Sequence, residues 1–144
     1  MLSQRIQTLF DQYITGFKNT DLRQVKACYH LPCTLNTPDK IVFIETEQAL
    51  SQEFENIFTQ LKQAKTTNII GHHASYSVLS PQLILVCVDW DFIDSNGETF
   101  ADFSAFYHII DLDGHLKIIN VVSHELEQSK VLQHTFELTE KSIN

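Results

Sequence analysis

The sequence is short of glycine, proline, cysteine and positive charge, and it has no long apolar run. Four Gly and three Pro in 144 residues leave no material for a collagen-like or low-complexity chain. The cysteines, Cys28, Cys33 and Cys87, are odd in number and their spacing fits no zinc pattern. Neither a disulfide framework nor a thiolate metal site is expected. They read as free thiols, buried or half-buried, in a reducing compartment. Lys plus Arg number 10 against 18 Asp plus Glu, a formal net charge of -8. Affinity for nucleic acid comes largely from cations on phosphates, which argues against that partner class. No apolar stretch approaches the ~20 residues that span a bilayer. Leu83 to Val88, the longest, is strand-sized. Met1 to Phe10 carries Ser3, Gln4, Arg5 and Gln7 in place of an apolar signal core. The expectation is a cytoplasmic chain with no membrane partner.

What is present is material for a core. Hydrophobic residues make up 43% and phenylalanine occupies ten positions, enough for one domain at this length. Ile6, Leu9, Phe10, Tyr13, Ile14 and Phe17 recur at helical spacing and predict an amphipathic helix of about four turns. Lys18 to Asp21 breaks it. Asn19 or Thr20 caps a second helix with Leu22 and Val25 inside, and Leu31-Pro32 ends that helix. Cys33 to Asn36 and Lys40 to Ile44 read as short strands. Thr46 caps a third helix whose stripe is Leu50, Phe54, Ile57, Phe58 and Leu61. After Lys65 the period drops to two. Thr66 to Leu79 (with a bulge or bend at Gly71), Leu83 to Asp94, Thr99 to Ile110 and His115 to His124 predict strands. Asn96-Gly97 and Asp113-Gly114 mark hairpins. The fold class is α+β: three N-terminal helices packed on a strongly curved, mostly antiparallel sheet, a cone with one open mouth. Ligand sites favour such mouths. Residues 1–125 form the single domain. Residues 126–144 form a C-terminal extension, either a short docked helix or a mobile tail.

The turns set the faces. A two-residue turn at Asn96-Gly97 pairs Ile93 with Phe100, Asp91 with Asp102 and Asp89 with Ser104. A loop over Asp111 to Gly114 pairs Ile110 with His115 and Phe106 with Ile119. One face then carries Trp90, Phe92, Phe103, Tyr107, Ile118, Asn120 and His124. The other carries Asp89, Asp91, Asp102, Phe106, His108, Val121 and Ser123. Burying an unpaired carboxylate costs several kcal/mol, whereas burying a Phe or Val gains roughly 1.5–3 kcal/mol. The Trp90 face is therefore expected against the helices, and the acidic face outside, wetted or in a subunit interface.

Pocket candidates follow from that choice: Tyr13 from the first helix, with Trp90, Tyr107, Asn120 and His124. The tyrosines offer donors to a ligand oxygen. His124 offers an acid or base near neutral pH. If a bulge exchanges the faces, Asp89, Asp102 and His108 take their place, as a carboxylate–histidine pair for proton transfer. His72-His73 suggests a metal pair, but neighbours on a strand point to opposite faces. No metal and no cofactor are expected. Apolar residues on both faces, Phe106, Ile119 and Val121 besides the Trp90 set, predict a homodimer through the sheet.

Several segments together carry a resemblance. They are Tyr13-Ile14-Thr15-Gly16-Phe17 with Thr20-Asp21-Leu22, Ala27-Cys28-Tyr29, Cys33-Thr34-Leu35-Asn36-Thr37-Pro38, the helix start Glu45-Thr46-Glu47-Gln48-Ala49-Leu50, and the meander with Asp113-Gly114 before its last strand. Over residues 1 to about 125 this order resembles the nuclear transport factor two-like superfamily, which includes ketosteroid isomerase, scytalone dehydratase and small polyketide cyclases. The resemblance implies the cone fold. Ketosteroid isomerase uses an Asp base and an oxyanion hole of one Tyr and one protonated Asp. The resemblance sets Tyr13 on that Tyr, but Thr37 on the base and Phe106 on the second acid. A threonine does not abstract a carbon-bound proton at neutral pH. The expected function is binding of a small apolar ligand in the pocket. The alternative is a cofactor-independent isomerase, dehydratase or cyclase acting by general acid/base proton transfer, with Tyr13, Tyr107 or His124 contributing.

Overall fold

The computed structural model describes residues 1–138. Helices α1 (Leu2–Lys18) and α2 (Leu22–Lys26) are followed by strands β1 (Tyr29–Asn36) and β2 (Ile41–Ile44), then helix α3 (Glu47–Gln63). A meander of β3 (Thr66–Ser80), β4 (Leu83–Asp94), β5 (Thr99–Leu112) and β6 (His115–His124) comes next, and β7 (His134–Thr135) lies near the C-terminus. The sheet runs β2-β1-β6-β5-β4-β3-β7. Among the described residues only the β1–β6 pair is parallel. This is the expected α+β architecture, with a curved, open sheet.

Helix α1 buries the predicted stripe of Ile6, Leu9, Phe10, Tyr13 and Ile14. The cap of α2 differs from expectation. Thr20 adopts a positive φ of 48°, so capping passes to Asp21, whose carboxylate accepts from Gln24 N. Helix α2 ends at Lys26, well before Leu31-Pro32, which sits inside β1 as a cis bond. Thr46 caps α3 as predicted, accepting from Ala49 N at 3.1 Å.

Three bulges decide the faces. In the β4–β5 hairpin only Gly97 of the turn pair has a positive φ (78°), and Asp94 N bonds to Glu98 O. The loop is therefore one residue longer than predicted, and Phe100 is bulged: Ile93 pairs with Thr99 and Phe92 with Ala101. Beyond it, Asp91 faces Asp102 and Asp89 faces Ser104, as the sequence implied. The β5–β6 turn is tighter than predicted. Asp113 and Gly114 both have positive φ, and Leu112 pairs with His115. A bulge at Ile119 then separates Ile109–Ile118 from His108–Asn120. Because side chains alternate, one extra residue turns the rest of β6 over. Val121 and Ser123 face the helices, and Asn120 and His124 face outward, the reverse of the sequence assignment. The third bulge lies in β3 between His72 and Ser75, where His73 has φ 50°.

The helices cover the Trp90 and Tyr107 face. Phe10 of α1 meets Tyr107 edge-on at 4.9 Å between ring centroids. After β6 the chain forms a 3-10 turn (Leu126–Gln128) and then a strap rather than a docked helix. Ser129 Oγ donates to Asp89 on the outer face at 2.6 Å, β7 pairs with the edge of β3, and Phe136 reaches the inner side near Phe10 and Tyr76. The last part of the predicted extension, residues 139–144, lies outside the described residues. Asp89 is thus buried beneath the strap instead of wetted, and the strap covers part of the outer face that the sequence assigns to a homodimer. Among the described residues no helix is long and apolar enough to cross a membrane.

Candidate functional site

A cavity of about 340 Å³ lies between the helices and the concave face of the sheet. Its deep wall is made of Tyr13, Tyr29, Trp90 and Tyr107, all buried. Phe17, Phe54, Phe92 and Phe103 are among its sides, and Asn36, Thr37, Lys40, Glu53, Asn56 and Ser123 are among the residues toward the mouth. Three elements place the tyrosines. Tyr13 belongs to the buried stripe of α1, Tyr29 opens β1, and Tyr107 alternates inward on β5.

The deep wall carries its own hydrogen bonds. Tyr13 and Tyr29 hydroxyls lie 2.7 Å apart. Trp90 Nε1 donates to Tyr107 Oη at 2.9 Å. Each hydroxyl has one proton to give. One proton of the Tyr13–Tyr29 pair closes that bond, and the other is left over. Tyr107 accepts from Trp90, and its own proton has no acceptor among the described residues. Burial pushes all three phenols well above their ordinary acidity range. For Tyr13 the bond to Tyr29 works against that push, and for Tyr107 the Trp90 bond does. The tyrosines are therefore neutral donors, not bases, at physiological pH.

The thiols stay out of the chemistry. Burial raises Cys28 to about 12 and Cys33 to about 11, so neither is a thiolate nucleophile. All three cysteines are free and buried.

Tyr13, Trp90 and Tyr107 are thus brought together, and Asn120 and His124 are not. Asn120 sits on the outer face in a polar network, accepting from Thr34 Oγ1 (2.6 Å) and Asn36 Nδ2 (2.7 Å) and meeting His108 Nδ1 at 2.8 Å. His124 stacks edge-on against Phe106 at 5.0 Å, and its Nε2 is buried with no hydrogen-bond partner among the described residues. The resemblance set Phe106 at a pocket position, but Phe106 points outward and its neighbour Tyr107 points in. Asp89, Asp102 and His108 also share the outer face and line no part of the cavity.

The β3 bulge corrects the reading of the histidine pair. Both rings point outward, His72 Nε2 to Asp91 Oδ2 (2.9 Å) and His73 Nδ1 to Asp89 Oδ2 (3.3 Å). Among the described residues no group of three His, Cys, Asp or Glu is placed to hold a metal ion.

Tyr29, Glu53, Val121 and Ser123 are among the lining residues that escaped the sequence reading. Glu53 had a signal. It stands three residues after Leu50 and four before Ile57, inside the apolar stripe of α3, and is the one carboxylate among the described lining residues.

The geometry agrees with what the chain is similar to. Residues 3–126 match a family model described as NTF2-like protein (DUF6841). No curated protein matches the chain in sequence. Among solved structures, an NTF-2 like protein of unknown function from Shewanella oneidensis has a TM-score of 0.71 at 15% identity, covering 87% of this chain and 100% of that one. A protein of unknown function with a cystatin-like fold from Nostoc punctiforme has a TM-score of 0.73 at 11% identity, covering 90% and 94%. A protein provisionally called a ketosteroid isomerase, from Shewanella frigidimarina, has a TM-score of 0.66 at 10% identity, covering 81% and 91%. At these identities the structures share the fold, and the family match settles the membership: the chain belongs to the NTF2-like family DUF6841.

Proposed function

We propose that the chain binds a small, largely apolar molecule in the cone, with an acceptor oxygen of the ligand turned toward Tyr107 and the Tyr13–Tyr29 pair. The observation that carries this reading is the pair of uncommitted, neutral O–H donors at the closed end of an apolar cavity. A buried donor without an acceptor costs about 1–3 kcal/mol. A carbonyl oxygen supplies acceptors the protein does not. The apolar walls add about 0.8 kcal/mol for each ligand methylene removed from water. The volume is at the small end of the roughly 300–1,000 Å³ typical of ligand sites, which suits a bicyclic ketone.

The test compares 1-tetralone with tetralin, the same skeleton without its carbonyl. Trp90 is the single tryptophan of the chain and lines the cavity, so its emission reports occupancy. Both compounds are expected to titrate saturably, the ketone roughly 3–10-fold tighter, the value of one net hydrogen bond. Equal affinities reject the donor role. Absence of saturation with either compound rejects the binding reading.

A second reading, a cofactor-independent isomerase, is favoured by Glu53, which lines the cavity. The carboxylate takes a proton from the carbon beside the carbonyl, the electron pair moves onto the oxygen held by the tyrosines, and the proton returns to carbon. The likeness to a protein provisionally called a ketosteroid isomerase supports it. Exchange of the α-protons of 1-tetralone in D2O, followed by NMR, separates the two. Exchange accelerated by the wild type and abolished in Glu53→Gln is the enzyme's result. Exchange at the buffer rate is the binder's.

A further inference from the structure

The strap that follows β6 lies almost wholly beyond the residues matched by the family, which end at 126. Its docking is specific. Ser129 Oγ donates to the buried Asp89 at 2.6 Å. Ser75 and Ser77 hydroxyls accept the backbone N–H of Leu132 (2.9 Å) and Gln133 (3.0 Å). Phe136 N donates to Ala74 O at 2.9 Å. Past β7 the strap turns onto the inner side of the sheet, where Leu138 lies over Gly71. A Cβ on Gly71 would stand 2.6 Å from Leu138 Cδ1, 3.2 Å from Val88 Cγ1 and 3.3 Å from Trp90 Cζ3. Leu138 and Trp90 therefore crowd into the space that the glycine leaves open. Trp90 in turn donates to the Tyr107 hydroxyl.

We propose that the strap is a positioning element for the cavity: Leu138, seated on Gly71, holds the Trp90 indole, and Trp90 holds the Tyr107 hydroxyl with its proton turned to the ligand. The inference rests on the ligand-binding reading and adds its control. The physical chain runs from Asp89 on the outer face, through the strap, to Leu138, Trp90 and Tyr107. Most strap side chains are exposed, and segments with few buried contacts open before the fold as a whole does. The docked strap gives a site with its donor in place. The released strap frees the indole to turn and removes the donor's anchor. Leu138 acts through Trp90 and touches no ligand, so it is a positioning residue.

The test uses the full chain carrying Leu138→Ala, Ser129→Ala or both, with Leu138→Met as the conservative control. Hydrogen exchange over residues 127–138 reads the strap. Trp90 emission and its quenching by acrylamide read the indole. Titration with 1-tetralone reads the site. The alanine variants are expected to exchange faster across the strap, expose Trp90 and bind 1-tetralone roughly 3–10-fold more weakly, the loss of one oriented hydrogen bond. Leu138→Met is expected to behave as wild type. In a Tyr107→Phe background the strap variants are expected to leave ketone affinity unchanged, which a merely structural role would not produce. Faster strap exchange with unaltered Trp90 and unaltered affinity overturns the proposal, as does a failure of every variant to loosen the strap. A wild type that ignores 1-tetralone while strap release still exposes Trp90 would reject the binding reading and support the strap's hold on the indole.

Discussion

Tyr107 and Tyr13 are the residues on which the chemistry turns. A Tyr107→Phe change removes only the hydroxyl, so packing against Phe10 stays and that donor goes, while Trp90 Nε1 loses its acceptor; Tyr13→Phe leaves Tyr29 with its own proton to give. Tyr107→Phe is expected to weaken 1-tetralone by roughly 3–10-fold and tetralin hardly at all, measured by Trp90 emission. The same burial has a consequence for stability. Tyr13, Tyr29 and Tyr107 are held above their ordinary value of 10.0 in the fold. Folding therefore favours their neutral forms, and that contribution is full below the unfolded pKa and lost as pH rises past it. Cys28, raised from 9.0 to about 12, gives the same sign from pH 9 upward. The melting temperature followed by circular dichroism is expected to fall steadily between pH 9 and 11. A melting temperature that holds level to pH 11 contradicts the burial of these groups. Tyr13, Trp90 and Tyr107 were legible because helical spacing and strand alternation both point them inward. Asn120 and His124 were misplaced because a bulge at Ile119 has no residue signature, and one extra residue reverses everything after it.

At the scale of elements, two glycines separate close approach from backbone strain. Gly16 sits where α1 meets α2, and a Cβ there would fall 2.8 Å from Val25 Cγ2 and 3.1 Å from Val25 N. Backbone gives way less easily than a side-chain tip, so Gly16→Ala is expected to cost about 1–3 kcal/mol. Gly97 has open space around it but a φ of 78°, so Gly97→Ala meets only the left-handed penalty, about 1 kcal/mol. Urea midpoints measure both. The contact reading fails if Gly16→Ala proves the milder change. Elements with a strong period and a clear boundary were readable: β4 and β6 span the predicted residues, and Thr46 caps α3. Caps and turns were less so. Asn19 and Thr20 gave way to Asp21 because Thr20 is spent on the turn between helices, and the Asn96-Gly97 hairpin took a longer loop because Asp94 Oδ1 accepts from Asn96 N and Glu98 N.

The whole molecule is a cone closed on one side by helices and on its β3 edge by the strap. The cone was legible, since three apolar helical stripes and a four-strand meander leave few ways to bury both. The strap was not. Its docking uses serine hydroxyls, a carboxylate and two residues of strand, none of which makes a period. It covers the free edge of β3, which would otherwise offer unpaired backbone to another chain. The outer face is accordingly less open than alternation alone suggests, and Asp89 is part of the strap's seat and not of the cavity. What the cavity does rests on one claim, that Tyr107 offers a free proton to a ligand oxygen. The measurement that reaches it most directly is the ratio of tetralin to 1-tetralone dissociation constants, compared between wild type and Tyr107→Phe. A preference for the ketone of roughly 3–10-fold that collapses toward one in the variant is the predicted result. A preference that survives the loss of the hydroxyl, or that never existed, contradicts it.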